Sequence, residues 1–161
     1  IAEYVGGSEE AFVNMMNRRA QELMANGTHF MNPHGLHDDN HYTTAYDLYL
    51  IFNECIKHED FVNIIQSEAY TAYYTDVDGN SQEALFTPTN LYAQGEVDVP
   101  ENVTIVGGKT GTTDEAGYCL ILMEKDSSDN PYISIVMGAS EKPVLYEDMT
   151  SLIEAIPSGQ Q

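Results

Sequence analysis

The sequence has 161 residues, which is enough for one domain with a substantial buried core. Hydrophobic residues make up 42% of it, so disorder is not expected. There are 26 acidic residues against 6 basic ones, and the formal net charge of −20 argues strongly against nucleic acid or an anionic membrane surface as a partner. No apolar stretch approaches 18 residues and no signal peptide is visible, so the sequence predicts no transmembrane helix.

The first part of the chain has the patterns of helices. Ile1 to Val5 read as the end of a helix, and because mature proteins seldom begin within a helix, we expect the chain to be a piece of a longer protein. Ser8 is a good N-cap and is followed by two glutamates in the positive first turn. Apolar residues then recur at helical spacing as far as Met24, and Asn26-Gly27 predicts the end of this helix.

Two shorter helices are predicted after a polar loop at residues 28–42. Thr44 and Asp47 resemble a capping box, and the apolar residues that follow them would form the inner face of a helix. Residues 59–65 predict a further short helix.

The periodicity then changes from helix to strand. A hairpin is predicted from two short β-rich runs with a turn at 78–80, and three longer strands and a covering helix follow a loop rich in proline, glycine and acidic residues. This order predicts an α+β fold with a helical part at 1–67, a hairpin and loop at 68–101, and antiparallel strands with a C-terminal helix at 102–156. The predicted strands are 70–75, 83–87, 103–109, 117–124 and 132–139, and the predicted last helix is 145–156.

Lys109-Thr110-Gly111 is the most informative motif of the chain. It follows a β-branched run and a pair of glycines, which would let another group approach the backbone closely. A cation beside a hydroxyl suits a substrate carboxylate, and the backbone N–H of Thr112 could help to bind a developing oxyanion. The triplet therefore predicts a binding or catalytic cleft, although three residues alone could also be an exposed strand end.

No nucleophile accompanies the triplet. Enzymes that act on penicillin or D-alanyl peptides use Ser-x-x-Lys, and none of the nine serines here has a lysine three residues later. Ser128-Asp129-Asn130 matches the Ser-x-Asn motif of such enzymes, but it follows the triplet, in a polar segment between two predicted strands. We therefore interpret it as a turn.

Metal and cofactor sites are not predicted. Four histidines within 13 residues have no fixed ligand spacing, and in Asp76 to Asn80 the glycine stands at the wrong position for a calcium loop, which favours a hairpin turn. Cys55 and Cys119 lie 64 residues apart, so no zinc motif is formed, and a disulfide between them is neither required nor excluded. The four histidines are His29, His34, His37 and His41.

Taken together, these segments resemble the C-terminal part of the catalytic domain of serine-type D-alanyl-D-alanine carboxypeptidases, the low-molecular-mass penicillin-binding proteins of peptidase family S11. The strongest match is Gly108 to Leu120, and the supporting stretches are Ala2 to Asn17, Thr28 to Leu36 and His41 to Leu48. The resemblance implies a partial penicillin-binding-protein or β-lactamase-like transpeptidase fold, in an exported bacterial cell-envelope protein.

The resemblance also implies a function. The intact protein would remove the terminal D-alanine from peptidoglycan stem peptides through an acyl-enzyme, would react with β-lactams, and would need no metal or organic cofactor. Lys109, Thr110 and Gly111 would be catalytic, and Lys109, Thr110 and Thr112 would bind substrate. The serine, its lysine, the Ser-x-Asn motif and two strands would lie in a missing N-terminal part, so this chain alone would be inactive. Strand 132–139 would then be an exposed edge through which the chain could self-associate.

One departure from the family pattern and two alternative interpretations remain. The family often has an arginine near the last strand for the substrate carboxylate, and residues 138–150 contain none. A non-catalytic module that binds cell-wall peptides or a partner would also lack a nucleophile, and a β-lactamase relative is a third, less favoured interpretation.

Overall fold

The computed structural model describes residues 1–158. Helices come first, a two-stranded hairpin and a short helix follow, and a three-stranded antiparallel sheet and a last helix complete the fold, which confirms the predicted α+β order. Within these residues no helix is long and apolar enough to cross a membrane. The helices are α1 (Ala2–Gly6), α2 (Glu9–Glu22), α3 (Ala45–Cys55), α4 (Glu59–Ile65), α5 (Leu91–Gln94) and α6 (Lys142–Glu154). The strands are β1 (Tyr70–Thr75), β2 (Ser81–Phe86), β3 (Val103–Thr113), β4 (Gly117–Asp126) and β5 (Pro131–Ala139).

Side-chain caps set the starts of the two main N-terminal helices. The Ser8 hydroxyl accepts a hydrogen bond from the Ala11 N–H, and the Thr44 hydroxyl accepts one from the Asp47 N–H, so both predicted N-caps are confirmed. The predicted end of α2 was wrong. The helix stops at Glu22, and Met24 rather than Gly27 takes the left-handed conformation, with φ of 63°.

The hairpin of β1 and β2 is held by its turn. The Asp76 carboxylate accepts hydrogen bonds from the backbone N–H groups of Asp78 and Asn80, and Gly79 supplies the positive φ of 85°. The same carboxylate also accepts from the side chain of Gln82. These bonds explain the acidic residues of this segment as turn residues, as the sequence predicted.

The order of the larger sheet is β3-β4-β5, and both strand pairs are antiparallel. The β4–β5 turn is built around Asp126, whose carboxylate accepts from the N–H groups of Ser128 and Asn130 and from the Asn130 side chain. Asp129 occupies the left-handed region, with φ of 66°. The turn interpretation of Ser128-Asp129-Asn130 is therefore confirmed.

The core lies between this sheet and α6. Leu120 and Leu122 of the central strand are almost fully buried against Met149 and Ile153 of the helix. The helix begins at Lys142, three residues before the predicted start, with Pro143 in its first turn. Helix α5, which the sequence analysis missed, adds Tyr92 to the same core.

Candidate active-site cleft

The Lys109-Thr110-Gly111 triplet lies within β3, which continues four residues past the predicted end at Lys109. Lys109 is paired with Ile121 of β4 and Thr110 with Leu120, so their side chains point to opposite faces of the sheet. Because Leu120 belongs to the core beneath α6, Thr110 lies on the α6 face. The far side of β3 carries no strand within residues 1–158, so the triplet stands on a sheet edge.

The glycines around the triplet serve different purposes. A Cβ atom on Gly107 would lie 2.1 Å from the carbonyl oxygen of Ile65, and one on Gly108 would lie 2.1 Å from that of Ile121. The close approach predicted for this glycine pair is therefore made by the protein itself, as the end of α4 and strand β4 press on β3. Gly111 has no atom within 4 Å of its Cβ position, and it alone of the three leaves open space beside the triplet.

A cleft of about 810 Å³ runs along this part of the sheet. It is bounded by β3, the start of β4, the start of α6, a loop after α2 and the segment after β2. All four sequence-predicted site residues line it. The lining residues are Pro33, His34, Gly35, Leu36, Thr89, Lys109, Thr110, Gly111, Thr112, Thr113, Tyr118, Cys119, Lys142, Leu145 and Tyr146.

Thr89 forms part of the cleft wall next to the triplet. Its hydroxyl oxygen lies 2.5 Å from that of Thr110, and the two share a hydrogen bond. The segment after Thr89 is fixed to α6, because the Leu91 N–H donates to the Tyr146 hydroxyl at 3.0 Å. Burial raises the pKa of Tyr146, which keeps this hydroxyl neutral in its core position. The wall is therefore anchored to the helix that closes the cleft.

Two of the six basic residues of this acidic chain line the cleft, namely Lys109 and Lys142. The Lys109 ammonium donates to the Thr110 carbonyl oxygen, and neither lysine takes part in an ion pair among the described residues. Their charges are not neutralised by a carboxylate of the protein. The cleft is thus suited to an anionic group, since an ammonium group or a hydroxyl of its lining would bind a carboxylate by a charge-assisted hydrogen bond.

The sequence analysis missed one wall of the cleft. The Asn32 side chain accepts from the Gly35 N–H and donates to the Leu36 carbonyl oxygen, which folds Pro33 to Leu36 into a tight turn beside the triplet. Gly35 supplies the positive φ of 79° that this turn needs. The Asn-Pro-His-Gly sequence was a visible turn signal, but its position at the cleft depends on the tertiary fold.

The four histidines mainly contact their own loop, although His34 lies 3.9 Å from Glu9 and His37 lies 3.9 Å from Glu115. His29 and His41 hydrogen-bond to the backbone of their own loop, and His37 lies 3.3 Å from Asp39. No group of three or more His, Cys, Asp or Glu side chains in residues 1–158 is arranged to hold a metal ion. Cys55 and Cys119 are both free thiols.

No serine of the described chain lines the cleft, and the turn that contains Ser128 contributes nothing to it. Hydroxyl groups are supplied by threonines and by Tyr118 and Tyr146 instead. The Cys119 sulfur is engaged by the Gly138 N–H at 3.4 Å. The cleft therefore has binding groups for an anion but no serine that could serve as a nucleophile.

A second concavity, of about 520 Å³, lies along α2 and is lined mainly by apolar side chains such as Phe12, Met16 and Leu23. Of its three charged residues, Arg19 and Glu22 are paired with each other at 2.9 Å, and Arg18 forms no ion pair within residues 1–158. It lacks the several hydroxyl groups and the two lysines that line the first cleft, which is the better candidate for chemistry.

The fold and cleft define the class of the protein. The structure is similar to the S216A mutant of the Streptomyces K15 DD-transpeptidase, with a TM-score of 0.80 and 25% identity over 91% of this chain and 54% of that one. The unmutated Streptomyces K15 DD-transpeptidase is also 25% identical, with a TM-score of 0.79 over 90% of this chain and 53% of that one. The chain has the mixed helix and antiparallel-sheet fold of the penicillin-binding DD-peptidases, and it corresponds to about half of the solved structure.

The sequence comparisons give the family. The model of the D-alanyl-D-alanine carboxypeptidases, peptidase family S11, matches residues 1–141, and the chain belongs to this family. It is 32% identical to the D-alanyl-D-alanine carboxypeptidase DacF of Bacillus subtilis over 154 residues, which are 96% of this chain and 37% of DacF. It is 28% identical to DacC of Escherichia coli over 95% of this chain and 35% of that protein. The chain thus spans little more than a third of the length of these curated relatives.

Proposed function

We propose that this chain is the C-terminal part of the catalytic domain of a serine-type D-alanyl-D-alanine carboxypeptidase. The observation that carries the proposal is the cleft that Lys109, Lys142 and Thr110 all line, beside the open backbone of Gly111 and without a serine. In the complete enzyme a serine outside this chain attacks the bond between two D-alanines of a peptidoglycan stem peptide. The terminal D-alanine leaves, and water releases the shortened peptide from the acyl-enzyme.

Each of the sequence-predicted residues has a role in this mechanism. The Thr110 hydroxyl donates to the terminal carboxylate of the substrate, and it stands in the right place because its partner Thr89 is anchored to α6. Lys109 contributes positive charge for binding and for proton transfer near the serine. The Thr112 N–H helps to stabilise the oxyanion of the tetrahedral intermediate, and Gly111 leaves room for the substrate backbone.

Lys142 supplies a second cation for the substrate carboxylate. It lines the same cleft as Thr110 and forms no ion pair in the described part of the chain. An arginine in this region, as the family resemblance implies, is absent from residues 138–150. A lysine at the first position of α6 can fill this electrostatic role, although it binds a carboxylate as a point charge rather than as a bidentate fork.

The proposed function has consequences for partners and location. β-Lactams would acylate the same serine, because they present a carboxylate and a reactive carbonyl to the same groups. Peptidoglycan lies outside the cytoplasmic membrane of bacteria, so we propose that the complete protein works in the cell envelope. No metal or organic cofactor takes part in this mechanism.

A non-catalytic module of the same fold is the alternative. The absence of a serine from the cleft favours it, since a peptide-binding module needs the cations and hydroxyls but no nucleophile. The open space at Gly111 and the Thr112 N–H favour the enzyme, since a carboxylate-binding module does not need an oxyanion site.

The test is intact-mass analysis after incubation with a reactive penicillin. It uses this chain alone and the same chain preceded by the segment encoded directly upstream of it, which we call the joined chain. The proposal predicts no adduct on this chain alone and a stoichiometric adduct on an upstream serine of the joined chain. Lys109→Ala should slow that acylation at least 100-fold. Lys125→Ala is the control and should not slow it, because Lys125 lies on the neighbouring strand β4 and is paired with Asp129.

Two results would contradict the proposal. An adduct on this chain alone would make one of its own serines the nucleophile. A joined chain that is folded by circular dichroism, yet forms no adduct, would support the non-catalytic module.

A further inference from the structure

Glu124 is the most unusual residue of the protein interior. It lies in the central strand β4 and has no solvent exposure. Neither of its carboxylate oxygens makes a hydrogen bond of ordinary geometry, although Ser134 lies nearby. A buried ionised carboxylate without a partner is strongly disfavoured, so this side chain is expected to carry a proton over much of the pH range.

The surroundings of Glu124 contain no compensating charge. It is paired with Ile105 of β3 and Tyr132 of β5, on the sheet face that also carries Leu122 and packs against α6. No ion pair within residues 1–158 includes Glu124, and the titratable side chains around it are neutral or acidic. They are Tyr132 of β5, Tyr92 of α5, Tyr146 and Glu154 of α6, and Asp126 of its own strand; β3 contributes only apolar side chains to this core.

Burial raises the pKa of Glu124 from its ordinary value of 4.5 to about 7, and the nearby hydroxyl and N–H of Ser134 and the N–H of Glu124 itself only partly oppose this shift. The carboxyl is therefore neutral in the folded state at mildly acidic pH and ionises near neutrality. In the unfolded chain it ionises near pH 4.5.

The face of the sheet that contains Glu124 is the one that holds α6. Met149 and Ile153 of the helix are fully buried in this core. The start of the same helix supplies Lys142 and Tyr146 to the cleft. A change in the packing of α6 would therefore move one wall of the cleft.

We propose that Glu124 is a proton-dependent positioning residue, which allows α6 to pack on the sheet when it is protonated and loosens that packing when it is ionised. The proposal concerns the helix and the sheet only, and it stands whether or not the proposed peptidase function does. At neutral to alkaline pH the packing of α6 on the sheet would therefore be weaker, and with it the wall of the cleft that α6 forms.

The direction follows from linkage. Because the pKa of Glu124 is higher in the folded state, the unfolded chain releases this proton first as the pH rises. The folding equilibrium is unaffected well below pH 4.5, is weakened progressively as the pH rises from about 4.5 to about 7, and is weakened fully above that range. This difference between the folded and unfolded pKa lowers the folding equilibrium constant by a factor of roughly 300 at the most.

The test measures amide hydrogen-exchange protection factors in α6, with the intrinsic pH dependence of exchange removed, for the wild-type chain, Glu124→Gln and Glu147→Gln. Glu147 lies on the exposed side of the same helix, so its variant removes the same charge without touching the core. Between pH 4.5 and pH 8 the α6 protection factors of the wild type and of Glu147→Gln should fall at least 30-fold more than those of Glu124→Gln. Equal pH profiles in all three proteins would overturn the proposal.

A direct titration keeps the proposal testable if Glu124→Gln does not fold. Carbon-13 NMR of the glutamate carboxyl carbons in the wild-type chain should show one resonance that titrates near pH 7. A Glu124 resonance that titrates at or below pH 4.5 would overturn the proposal without any variant.

Discussion

The hydroxyl oxygens of Thr89 and Thr110 lie 2.5 Å apart, so a loop residue and a strand residue 21 positions apart in the chain share a hydrogen bond at the wall of the cleft. This bond orients the Thr110 hydroxyl, the group that we assign to the substrate carboxylate. It also connects the triplet to α6 through Leu91 and Tyr146. The geometry of the binding group thus depends on a part of the chain that carries no recognisable motif.

Thr110→Val should lower kcat/KM of the joined chain for a D-Ala-D-Ala peptide by about 10- to 100-fold, because it removes one hydrogen bond to a charged group. Thr110→Ser keeps the hydroxyl and should retain most of the activity. Thr104→Val is the matched control, since Thr104 is an exposed residue of the same strand and lies outside the cleft. Equal kcat/KM values for Thr110→Val and Thr104→Val would contradict the role of Thr110.

The glycines of β3 give a prediction about stability. Gly107→Ala would place a Cβ atom 2.1 Å from the Ile65 carbonyl oxygen, so the end of α4 must move and the chain should lose about 1–3 kcal/mol of unfolding free energy. Gly111→Ala meets no atom within 4 Å and should leave that free energy within about 0.5 kcal/mol of the wild type. Urea unfolding of both variants measures the difference. A larger loss at Gly111 than at Gly107 would show that the packing of α4 on β3 is wrong.

The local features of this fold were readable from the sequence because their causes are local. Ser8 and Thr44 cap helices through atoms three residues away, and Asp76 and Asp126 form turns through atoms two to four residues away. The triplet was found in the same way, as a short pattern on a strand.

Features that depend on distant residues could not be read in this way. The continuation of β3 through Thr113 is set by its pairing with β4, and helix α5 is only four residues long. The turn from Pro33 to Leu36 reaches the cleft only through the tertiary fold. The burial of Glu124 was equally hidden. It begins the charged run Glu124-Lys125-Asp126, which suggests an exposed strand end rather than a core position.

The Ser128-Asp129-Asn130 segment should have no part in the reaction with penicillin. Ser128→Ala and Asn130→Ala should leave the acylation rate of the joined chain unchanged, because the segment is a turn outside the cleft. Asn130→Ala should lower the urea midpoint, since it removes a side-chain hydrogen bond to Asp126 of 2.9 Å. An acylation rate reduced tenfold or more in a folded Ser128→Ala variant would mean that this segment is the functional Ser-x-Asn motif after all.

Strand β5 is the second edge of the sheet, with β4 on one side and no strand of residues 1–158 on the other. We expect the chain to self-associate through this edge, with a mass above that of the monomer by light scattering at micromolar concentrations. Met137→Lys places a charge on a residue of β5 that is 39% exposed, and it should restore the monomer. Val77→Lys, at a fully exposed position of the hairpin turn, is the control and should not. A wild-type chain that has the mass of a monomer by light scattering would contradict this prediction.

The last prediction concerns the energetic cost of the buried carboxyl. Glu124→Met replaces it with an apolar side chain of similar size, so the variant should be more stable than the wild type at pH 8 by up to about 3 kcal/mol. The difference should be smaller by most of this amount at pH 3.5, because the carboxyl is then protonated in the folded chain and largely protonated in the unfolded chain. Urea unfolding at the two pH values, with Glu147→Gln measured in parallel, gives the comparison. A stability difference between the variant and the wild type that does not change with pH would mean that Glu124 contributes only through packing, and that its proton has no influence on how α6 is held.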